Sequence, residues 1–368
     1  MNKTLSQKFR FFTFICIALL AYVHGYNLNN TYLAPYSTVE EPLTVTSFFE
    51  YFIANGLLRF RIPMLFIISG YLYATYDHRP YLQQIQKRFK TLIIPFFLWS
   101  AAGLALTFLL QQFTYTADLV HTAGIDQLGD NRPYTEIGWE GILRRWLLHP
   151  VSYQLWFIVS LFIYNLIYPV IRWLVVKIPF IWLPLTFLLF FSLFQFIYVD
   201  GRGIFFFSLG IWLQKKKISI DKQPEWFSAG LAFILFIGLT VIKTFMAFEL
   251  EPNQFSTSLT LVIFYQLSVI TGILAMWFGL DKVVRWALRK KWFYKASGFS
   301  FFLYGAHVPL LPYAMTMALT ELSFLPYYRL FCYIVIPGLI VVLCIWIGRF
   351  VRKFLPGIYF TLTGSRGF

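Results

Sequence analysis

The sequence predicts an all-α integral membrane protein with about ten transmembrane helices and both termini in the cytoplasm. Three observations predict this fold class. Of the 368 residues, 58% are hydrophobic and 13% are charged, and the mean hydropathy is +0.64, which a soluble domain of this length would not tolerate. Apolar stretches of ~20 residues, enough to cross a hydrocarbon core of about 30 Å, recur along the chain. Basic residues collect in alternate loops, as the positive-inside rule requires.

The predicted spans are ten in number, and the first is a retained span rather than a cleaved signal. It has a basic head and an apolar middle, but no small-x-small cleavage site follows it. The sixth is short and opens with GRGIFFF, so a broken or interfacial helix, and a count of nine or eleven, stay open. The spans lie at residues 11–27, 57–76, 91–112, 153–174, 179–198, 203–214, 227–247, 257–279, 299–318 and 328–350.

The charge distribution supports this topology and argues against a nucleic-acid partner. With the N-terminus inside, the inner segments hold 23 of the 31 Lys and Arg residues, and the outer segments hold 12 of the 16 acidic residues. The net charge of +15 is spread over short clusters between apolar runs, whereas nucleic-acid binding calls for one continuous basic surface. The predicted partner of the basic residues is therefore the lipid bilayer.

One polytopic domain over residues 1–368 is predicted, with two long outer loops at 28–56 and 113–152. Long loops on one face are where a substrate outside the membrane would be handled. The NNT sequence at 29–31 matters as a glycosylation site only if a eukaryotic secretory pathway makes the chain. The three cysteines lie in apolar runs without CxxC spacing, so no disulfide framework and no metal site are predicted.

Three basic residues stand in the first two predicted spans, where each is costly unless it is paired or hydrated. His24 is either a structural residue, hydrogen-bonded to a neighbouring helix, or a functional one. Arg59 and Arg61 open the segment RFRIPMLFIISGYLYA and cannot lose their charge, so they need an acidic partner, carbonyls, water or an anionic ligand. Snorkelling to the headgroups is the structural alternative for Arg59.

A second group of polar residues lies in the last third of the chain. At about 100° per residue, Ser300, Tyr304 and His307 share one helix face, which is typical of a stripe that lines a cavity. One buried structural histidine with bystanders is the alternative. Arg202 and Trp156 add polar and aromatic groups near the outer face, although an interfacial aromatic belt is the better interpretation of Trp156.

Four segments, in this order, resemble the acyltransferase 3 family of multi-span membrane O-acyltransferases that modify carbohydrates. They are YVHGYN, RFRIPMLFIISGYLYA followed by KRFKTLIIPFFLWS, YQLWFIVSLFIY, and SFFLYGAHVPLL. The resemblance covers nearly the whole chain. It implies transfer of an acyl group, expected to be acetyl from acetyl-CoA, to a hydroxyl of a cell-surface or lipid-linked glycan at the bacterial inner or plasma membrane. A succinyl donor and a partnership with a glycan synthase stay open.

The resemblance also assigns residues. It places functional positions on His24, Arg59, Ser69, Gly70, Ser300, Tyr304 and His307. We predict that His24 is the general base, with an acyl-histidine relay as a variant. Arg59 would hold the oxyanion or the sugar, with Arg61 beside it. The acceptor would be oriented by Ser69 and Tyr304, with His307 as a second proton carrier and Arg202 and Trp156 as further substrate contacts.

The first span departs from the family in one respect. The family often has an arginine eleven residues before the first histidine, and this chain has Thr13 there. Arg10 stands fourteen residues before His24, about 40° short of four full turns, so the two share a helix face. We predict that the donor's phosphates meet Arg10 and the inner cluster Lys87, Arg88 and Lys90, with Lys215, Lys216 and Lys217 next. Topology alone is the alternative explanation of the inner clusters.

A different class of function also fits buried arginine and histidine residues. A transporter or flippase for a lipid-linked or small anionic solute would use them to line a pathway, and it favours interrupted helices in two related halves. Here one glycine-flanked short span at 203–214 has no counterpart. A scaffold protein fits least, because it gives buried arginines no purpose.

Overall fold

A computed structural model describes residues 2–28, 33–130 and 132–366. Nineteen α-helices in these residues are joined by short π and 3-10 turns and one two-stranded ribbon. The NNT sequence at 29–31 lies outside the described residues. The helices are α1 Lys3–Ala18, α2 Leu20–His24, α3 Val45–Tyr51, α4 Arg61–Thr75, α5 Tyr81–Arg88, α6 Ile94–Leu110, α7 Thr114–Ala123, α8 Gly138–Leu147, α9 Trp156–Leu166, α10 Tyr168–Lys177, α11 Pro179–Phe191, α12 Gly201–Lys215, α13 Ala229–Glu249, α14 Phe255–Gly279, α15 Asp281–Arg289, α16 Lys291–Ser297, α17 Ser300–Glu321, α18 Tyr328–Phe354 and α19 Pro356–Leu362. The remaining elements are the π turns Phe52–Leu57 and Phe89–Ile93, the 3-10 turn Tyr153–Leu155, and the strands β1 Gln195–Phe196 and β2 Val199–Asp200, which pair antiparallel.

Six helical segments of the described residues are long and apolar enough to cross a membrane, or seven if the bent pair α9–α10 forms one span. The prediction of about ten spans therefore rests on three further helices. Two of these, α11 and α12, are short, with 13 and 15 residues. The third, α17, is interrupted by non-helical backbone at Val308. An all-α, multi-pass membrane protein is confirmed at this coarser level, while the count of ten and the cytoplasmic placement of both termini stay predictions. The qualifying segments are Lys3–His24, Val45–Thr75, Tyr81–Leu110, Ala229–Glu249, Phe255–Gly279 and Tyr328–Phe354.

The helices form two compact units. Unit 1 runs from the N-terminus to Tyr81 and from Ile163 to Ser297. Its closest helix pairs are α4 with α12 and α13 with α14. Small residues explain the first pair: a Cβ on Gly70 would lie 2.2 Å from the carbonyl oxygen of Phe207, and one on Gly210 would lie 2.2 Å from that of Ile67. Gly70, one of the positions implied by the family resemblance, is therefore required by helix packing.

Unit 2 comprises Leu82–Phe162 and the chain from Gly298 onward, with α17 packed on α18. The predicted outer loop 113–152 is largely helical here, through α7 and α8. Its Arg145 is 2% exposed and pairs with Asp126 at 2.5 Å, and the guanidinium also lies over the ring of Tyr134. Because this charge is paired and hydrogen-bonded, its burial holds the loop in one arrangement.

A carboxylate at the end of α4 connects three parts of unit 1. Asp77 Oδ2 lies 2.6 Å from Lys215 Nζ on α12 and 2.9 Å from Arg172 Nε on α10, and it accepts a hydrogen bond of 2.7 Å from the Tyr168 hydroxyl. Burial alone would raise the pKa of Asp77. The hydrogen bonds from Lys215 and Tyr168, with the charges of Lys215 and Arg172, outweigh burial and lower that pKa below its usual 3.8.

We expect Asp77→Asn to lower the thermal unfolding midpoint, since hydrogen bonds to a charged group contribute about 1.5–3 kcal/mol each. A carboxylate with a lowered folded-state pKa stabilises above its unfolded pKa, and that stabilisation is lost as the pH falls through the folded pKa. The difference in midpoint between wild type and variant should therefore be full near neutral pH and shrink below about pH 4. Thermal unfolding in detergent at both pH values measures it.

Glu225→Gln is the matched control, because Glu225 is exposed and makes no ion pair with any described residue. An Asp77→Asn midpoint equal to wild type at neutral pH would contradict the role assigned to Asp77.

Candidate active site

The segment before the RFRIP sequence is helical and belongs to the candidate span Val45–Thr75. The Thr44 side chain caps α3, and the π turn Phe52–Leu57 follows it directly. Residues 45–56 of the predicted outer loop 28–56 thus continue the helical segment. Arg59 consequently lies near the middle of a 31-residue helical segment and not at its outer end. A single π turn inside a helix is a common feature of functional sites.

Arg59 sits in the turn between this π turn and α4. Its Nη2 donates to Asn55 Oδ1, while its buried Nε has no acceptor among the described residues. No carboxylate of the described residues pairs with Arg59. Its electrostatic neighbours are the phenols of Tyr26, Tyr51 and Tyr265 and the charge of Arg202. Of the alternatives open from sequence, an acidic partner is therefore absent in the described part of the chain, and water or an anionic ligand remains.

Asn55 is fully buried in the π turn and adds a second donor at this place. Its Oδ1 is used by Arg59, and its Nδ2 finds no hydrogen-bond acceptor among the described residues. A buried amide donor without an acceptor costs about 1–3 kcal/mol. Two such donors, Arg59 Nε and Asn55 Nδ2, therefore lie on side chains that a hydrogen bond joins, and each is suited to an oxygen that carries negative charge.

Lys243 on α13 is fully buried and contacts the π turn. Its Nζ donates to the carbonyl oxygen of Asn55 at 2.7 Å and to that of Pro35 at 2.5 Å. It also lies 4.9 Å from the ring centroid of Tyr51 and 5.7 Å from that of Tyr265. Through these two hydrogen bonds Lys243 joins Pro35 to the π turn and fixes the backbone that carries Asn55.

The structure brings the end of the first span to the same place. α2, which ends at His24, packs against the π turn, and His24 is half-buried. Two residues later, burial raises the pKa of Tyr26, while the charge of Arg59 and a contact with Asn55 act in the opposite direction. His24, Asn55 and Arg59 therefore belong to one region of unit 1.

Arg61, two residues from Arg59, has different surroundings. It is 2% exposed, and its Nε donates to the Leu58 carbonyl at 2.5 Å and its Nη1 to the Cys16 carbonyl at 3.4 Å. Arg61 thus joins the start of α4 to α1 through backbone carbonyls, which is the structural alternative for a buried arginine.

The remaining predicted residues of unit 1 are Arg10, Arg202 and Ser69, of which Arg202 is an electrostatic neighbour of Arg59. Arg10 donates from Nε to Ser297 Oγ at 2.7 Å and from Nη2 to the Tyr294 carbonyl at 2.8 Å, and it stacks on the Tyr294 ring. Arg202 pairs with Asp200 at 2.6 Å, whose other oxygen caps α12. Ser69 is half-buried on α4.

In unit 2, the residues around His307 satisfy a backbone that two prolines interrupt. Pro309 and Pro312 have no N–H, so the carbonyls of Gly305 and Val308 lose their helical partners. Gln154 Nε2 lies 3.2 Å from the Gly305 oxygen, and Ser152 Oγ lies 3.0 Å from the Val308 oxygen. The YQLWF segment and the serine before it thus supply donors to the interrupted α17.

Tyr304 and His307 are both buried in this arrangement. The Tyr304 hydroxyl donates to the Gln154 carbonyl at 2.5 Å. His307 Nδ1 lies 3.1 Å from the Leu303 oxygen and 3.0 Å from the Tyr304 oxygen. Because carbonyls only accept, Nδ1 carries the proton in the neutral ring, which leaves Nε2 as the basic nitrogen. Trp156 is half-buried against Phe157.

In unit 2, the basic cluster predicted to lie on the inner side borders a pocket of about 510 Å³. Its cationic lining is Lys87, Arg88, Lys90 and Arg366. Among the described residues, no group of three or more His, Cys, Asp or Glu side chains is placed to hold a metal ion.

Comparison with known proteins identifies the family. The family model described as "Acyltransferase domain" (Acyl_transf_3) matches residues 14–349. The chain belongs to this acyltransferase family. One relative is the succinoglycan biosynthesis protein ExoH of Rhizobium meliloti (strain 1021), 25% identical over 378 residues that cover 100% of this chain and 94% of ExoH. No solved structure matches the chain.

Family membership confirms the resemblance seen in the sequence.

In the region around Arg59, the sequence alone did not identify Asn55 and Lys243 as residues of the site, although each had a recognisable feature. Lys243 is the single charged residue in GLTVIKTFMAF, and Asn55 stands four residues before Arg59 in an apolar run. The donors for the α17 carbonyls also had a signal, because a proline in a span leaves the carbonyl four residues earlier without a partner.

The two arginines should respond differently to removal of charge. Arg61→Met leaves two backbone carbonyls without their donor, and we expect a lower thermal midpoint, with about 1–3 kcal/mol lost. Arg59→Met removes a half-buried charge that has no acidic partner among the described residues, but it also removes the donor to Asn55 Oδ1, so we expect a smaller loss than for Arg61→Met. Thermal unfolding in detergent compares them, with the exposed Arg285→Met as control. Equal losses for both arginines would contradict this assignment.

Proposed function

We propose that this member of the acyltransferase family transfers an acyl group from a cytoplasmic acyl-CoA to a sugar hydroxyl of a cell-envelope polysaccharide or its lipid-linked precursor. The observation that carries the proposal is the pair of buried donors without acceptors, Arg59 Nε and Asn55 Nδ2, beside the end of the helix that carries His24. The relative named for succinoglycan biosynthesis supports a polysaccharide acceptor. We place the protein in the bacterial inner membrane as part of this proposal.

The chemistry assigns one task to each residue. His24 accepts the proton of the sugar hydroxyl, whose oxygen attacks the thioester carbonyl carbon. The carbonyl oxygen becomes an oxyanion, which accepts hydrogen bonds from Arg59 and Asn55. When the intermediate collapses, the carbon–sulfur bond breaks, and the coenzyme A thiolate takes the proton from the His24 imidazolium. The products are an O-acyl sugar and free coenzyme A.

The electrostatic benefit comes from the low polarity around the two donors. Donors fixed before the reaction stabilise a developing charge strongly where water is excluded, and loss of one typically lowers kcat by about 10²–10³. Lys243 contributes by holding the Asn55 carbonyl, and through it the π turn. Arg61 has a structural role in this proposal. Ser69, Tyr304, His307, Arg202 and Trp156 keep the roles that the family resemblance gave them as predictions.

We infer further that the donor is recognised through its phosphates by Lys87, Arg88 and Lys90 on the predicted inner side. Arg10 remains a predicted donor contact, although its Nε and Nη2 are occupied by Ser297 and Tyr294. Acetyl is the acyl group expected from the sequence, and a succinyl group is the other candidate.

Transfer of labelled acyl groups tests the proposal. Inverted membrane vesicles receive radiolabelled acetyl-CoA or succinyl-CoA, and label is counted in the polysaccharide and glycolipid fractions at matched protein levels. We expect wild type to transfer label from one of the two donors. His24→Ala should lose about 10²–10⁴ of the rate as a general base, and Arg59→Ala about 10²–10³.

Asn55→Asp provides the sharpest comparison, because it keeps the shape of the side chain and gives Arg59 a carboxylate partner. We expect transfer to fall by at least about 10² while the protein stays folded. The controls are His78→Ala and Arg285→Ala, both exposed. Wild-type vesicles that transfer no label from either donor above an empty-vector control would reject the proposal and favour transport of an anionic solute.

A further inference from the structure

The pocket beside α5 has a wall that the donor-binding prediction did not include. The chain returns to this place after α19, in the turn Thr363–Arg366, and Gly364 and Arg366 line the pocket together with Lys87 and Lys90. Its volume of about 510 Å³ lies within the range of about 300–1,000 Å³ that small-molecule pockets occupy. All of its lining residues belong to unit 2.

The turn is fixed in place by contacts with the start of the third candidate span. Arg366 Nη1 donates to the Thr91 carbonyl at 3.0 Å, and the guanidinium lies 4.2 Å from the ring centroid of Phe301. Gly364 has φ +56°, and a Cβ there would lie 2.5 Å from the Thr91 oxygen, so a side chain is excluded. Gly364 is also the left-handed residue that follows the end of α19, and the contacts of Arg366 hold this turn beside Thr91.

The charged side chains that line the pocket are all cationic in the described part of the chain. They number four, and no carboxylate stands among the described lining residues. Among the described residues, Lys87, Lys90 and Arg366 make no ion pair. Burial and the neighbouring charge of Arg88 both lower the pKa of Arg366. Like charges brought together at one pocket favour an anion between them.

A neutral donor completes the site. Thr91 is 8% exposed and lines the pocket, and its Oγ1 has no hydrogen-bond partner among the described residues. Topology explains basic residues on an inner face, but it does not explain a buried hydroxyl without a partner. A phosphate oxygen would accept from this hydroxyl and from the surrounding cations at the same time.

We infer that this pocket binds the phosphates of the coenzyme A donor, with Arg366 as an anion-binding residue and the Thr91 hydroxyl as a hydrogen-bond donor. The inference rests on the proposed function and adds the C-terminal turn to the donor site. It also predicts salt dependence, because binding that depends on several cations weakens as salt screens them.

Binding to the purified full-length protein in detergent tests this inference without any acyl transfer. The probes are coenzyme A, dephospho-coenzyme A and pantetheine, titrated by calorimetry with no acceptor present. We expect coenzyme A to bind at least about tenfold more tightly than pantetheine, with dephospho-coenzyme A between them, because charge-assisted hydrogen bonds are the stronger class.

Variants then assign the contacts. Arg366→Gln should weaken coenzyme A binding at least about tenfold, and Thr91→Val about three- to tenfold, while pantetheine binding changes in neither. Thr91→Ser keeps a hydroxyl and should restore affinity. Arg349→Gln, an exposed arginine outside the pocket, is the matched control. Thermal midpoints near wild type confirm that each variant is folded.

The outcomes separate this inference from the proposed function. Coenzyme A binding that is unchanged by Arg366→Gln and Thr91→Val overturns the pocket, even if labelled acyl groups are transferred. Tight, phosphate-dependent binding supports it, even if transfer fails. Phosphatidylglycerol added in micelles provides the other source of phosphate. If wild type binds this lipid more tightly than coenzyme A, and the lipid displaces coenzyme A, the pocket is a lipid headgroup site. That result would overturn the nucleotide assignment.

Discussion

A guanidinium group inside an apolar span must receive a counter-charge, hydrogen-bond acceptors or a polar ligand, because its desolvation is otherwise uncompensated. Arg59 and Arg61 meet this requirement in opposite ways. Arg61 is satisfied by backbone carbonyls of Leu58 and Cys16. Arg59 is held by the single amide oxygen of Asn55 and keeps a buried donor without an acceptor in the described part of the chain. The arrangement of unit 1 around the π turn follows from this difference.

Asn55 and Arg59 stand four residues apart, so about one helical turn brings their side chains together. Lys243 fixes the π turn by binding the Asn55 carbonyl from α13. The stability lost by leaving two donors unsatisfied is typical of an active site, where groups are arranged for a charge that exists only during the reaction.

In unit 2 the buried backbone carbonyls impose a similar requirement, because each needs a hydrogen-bond donor. Two prolines in α17 free the carbonyls of Gly305 and Val308 in a region where water is scarce, and Gln154 and Ser152 supply the missing donors. Hydrogen bonds in the same region orient Tyr304 and His307. The Tyr304 hydroxyl donates to the Gln154 carbonyl, and His307 Nδ1 faces two carbonyls of its own helix. The family positions of this region are thus inseparable from its packing.

Hydropathy and charge asymmetry were enough to predict a multi-pass helical protein, and the order of four motifs was enough to predict its family, because both are properties of the linear chain. They also selected His24 and Arg59 as residues of interest. The sequence did not predict that residues 45–56 continue a helical segment, since they belong to a long stretch, 28–56, of mixed polar and apolar composition with turn signals. The family resemblance placed a functional position on Arg59, but the sequence did not distinguish the surroundings of Arg59 from those of Arg61, because both have the same charge and neighbouring positions in one motif. That distinction, the roles of Asn55 and Lys243, and the return of Arg366 to Thr91 were decided by the tertiary structure, since each depends on which distant carbonyl, amide or ring the fold brings within hydrogen-bonding distance.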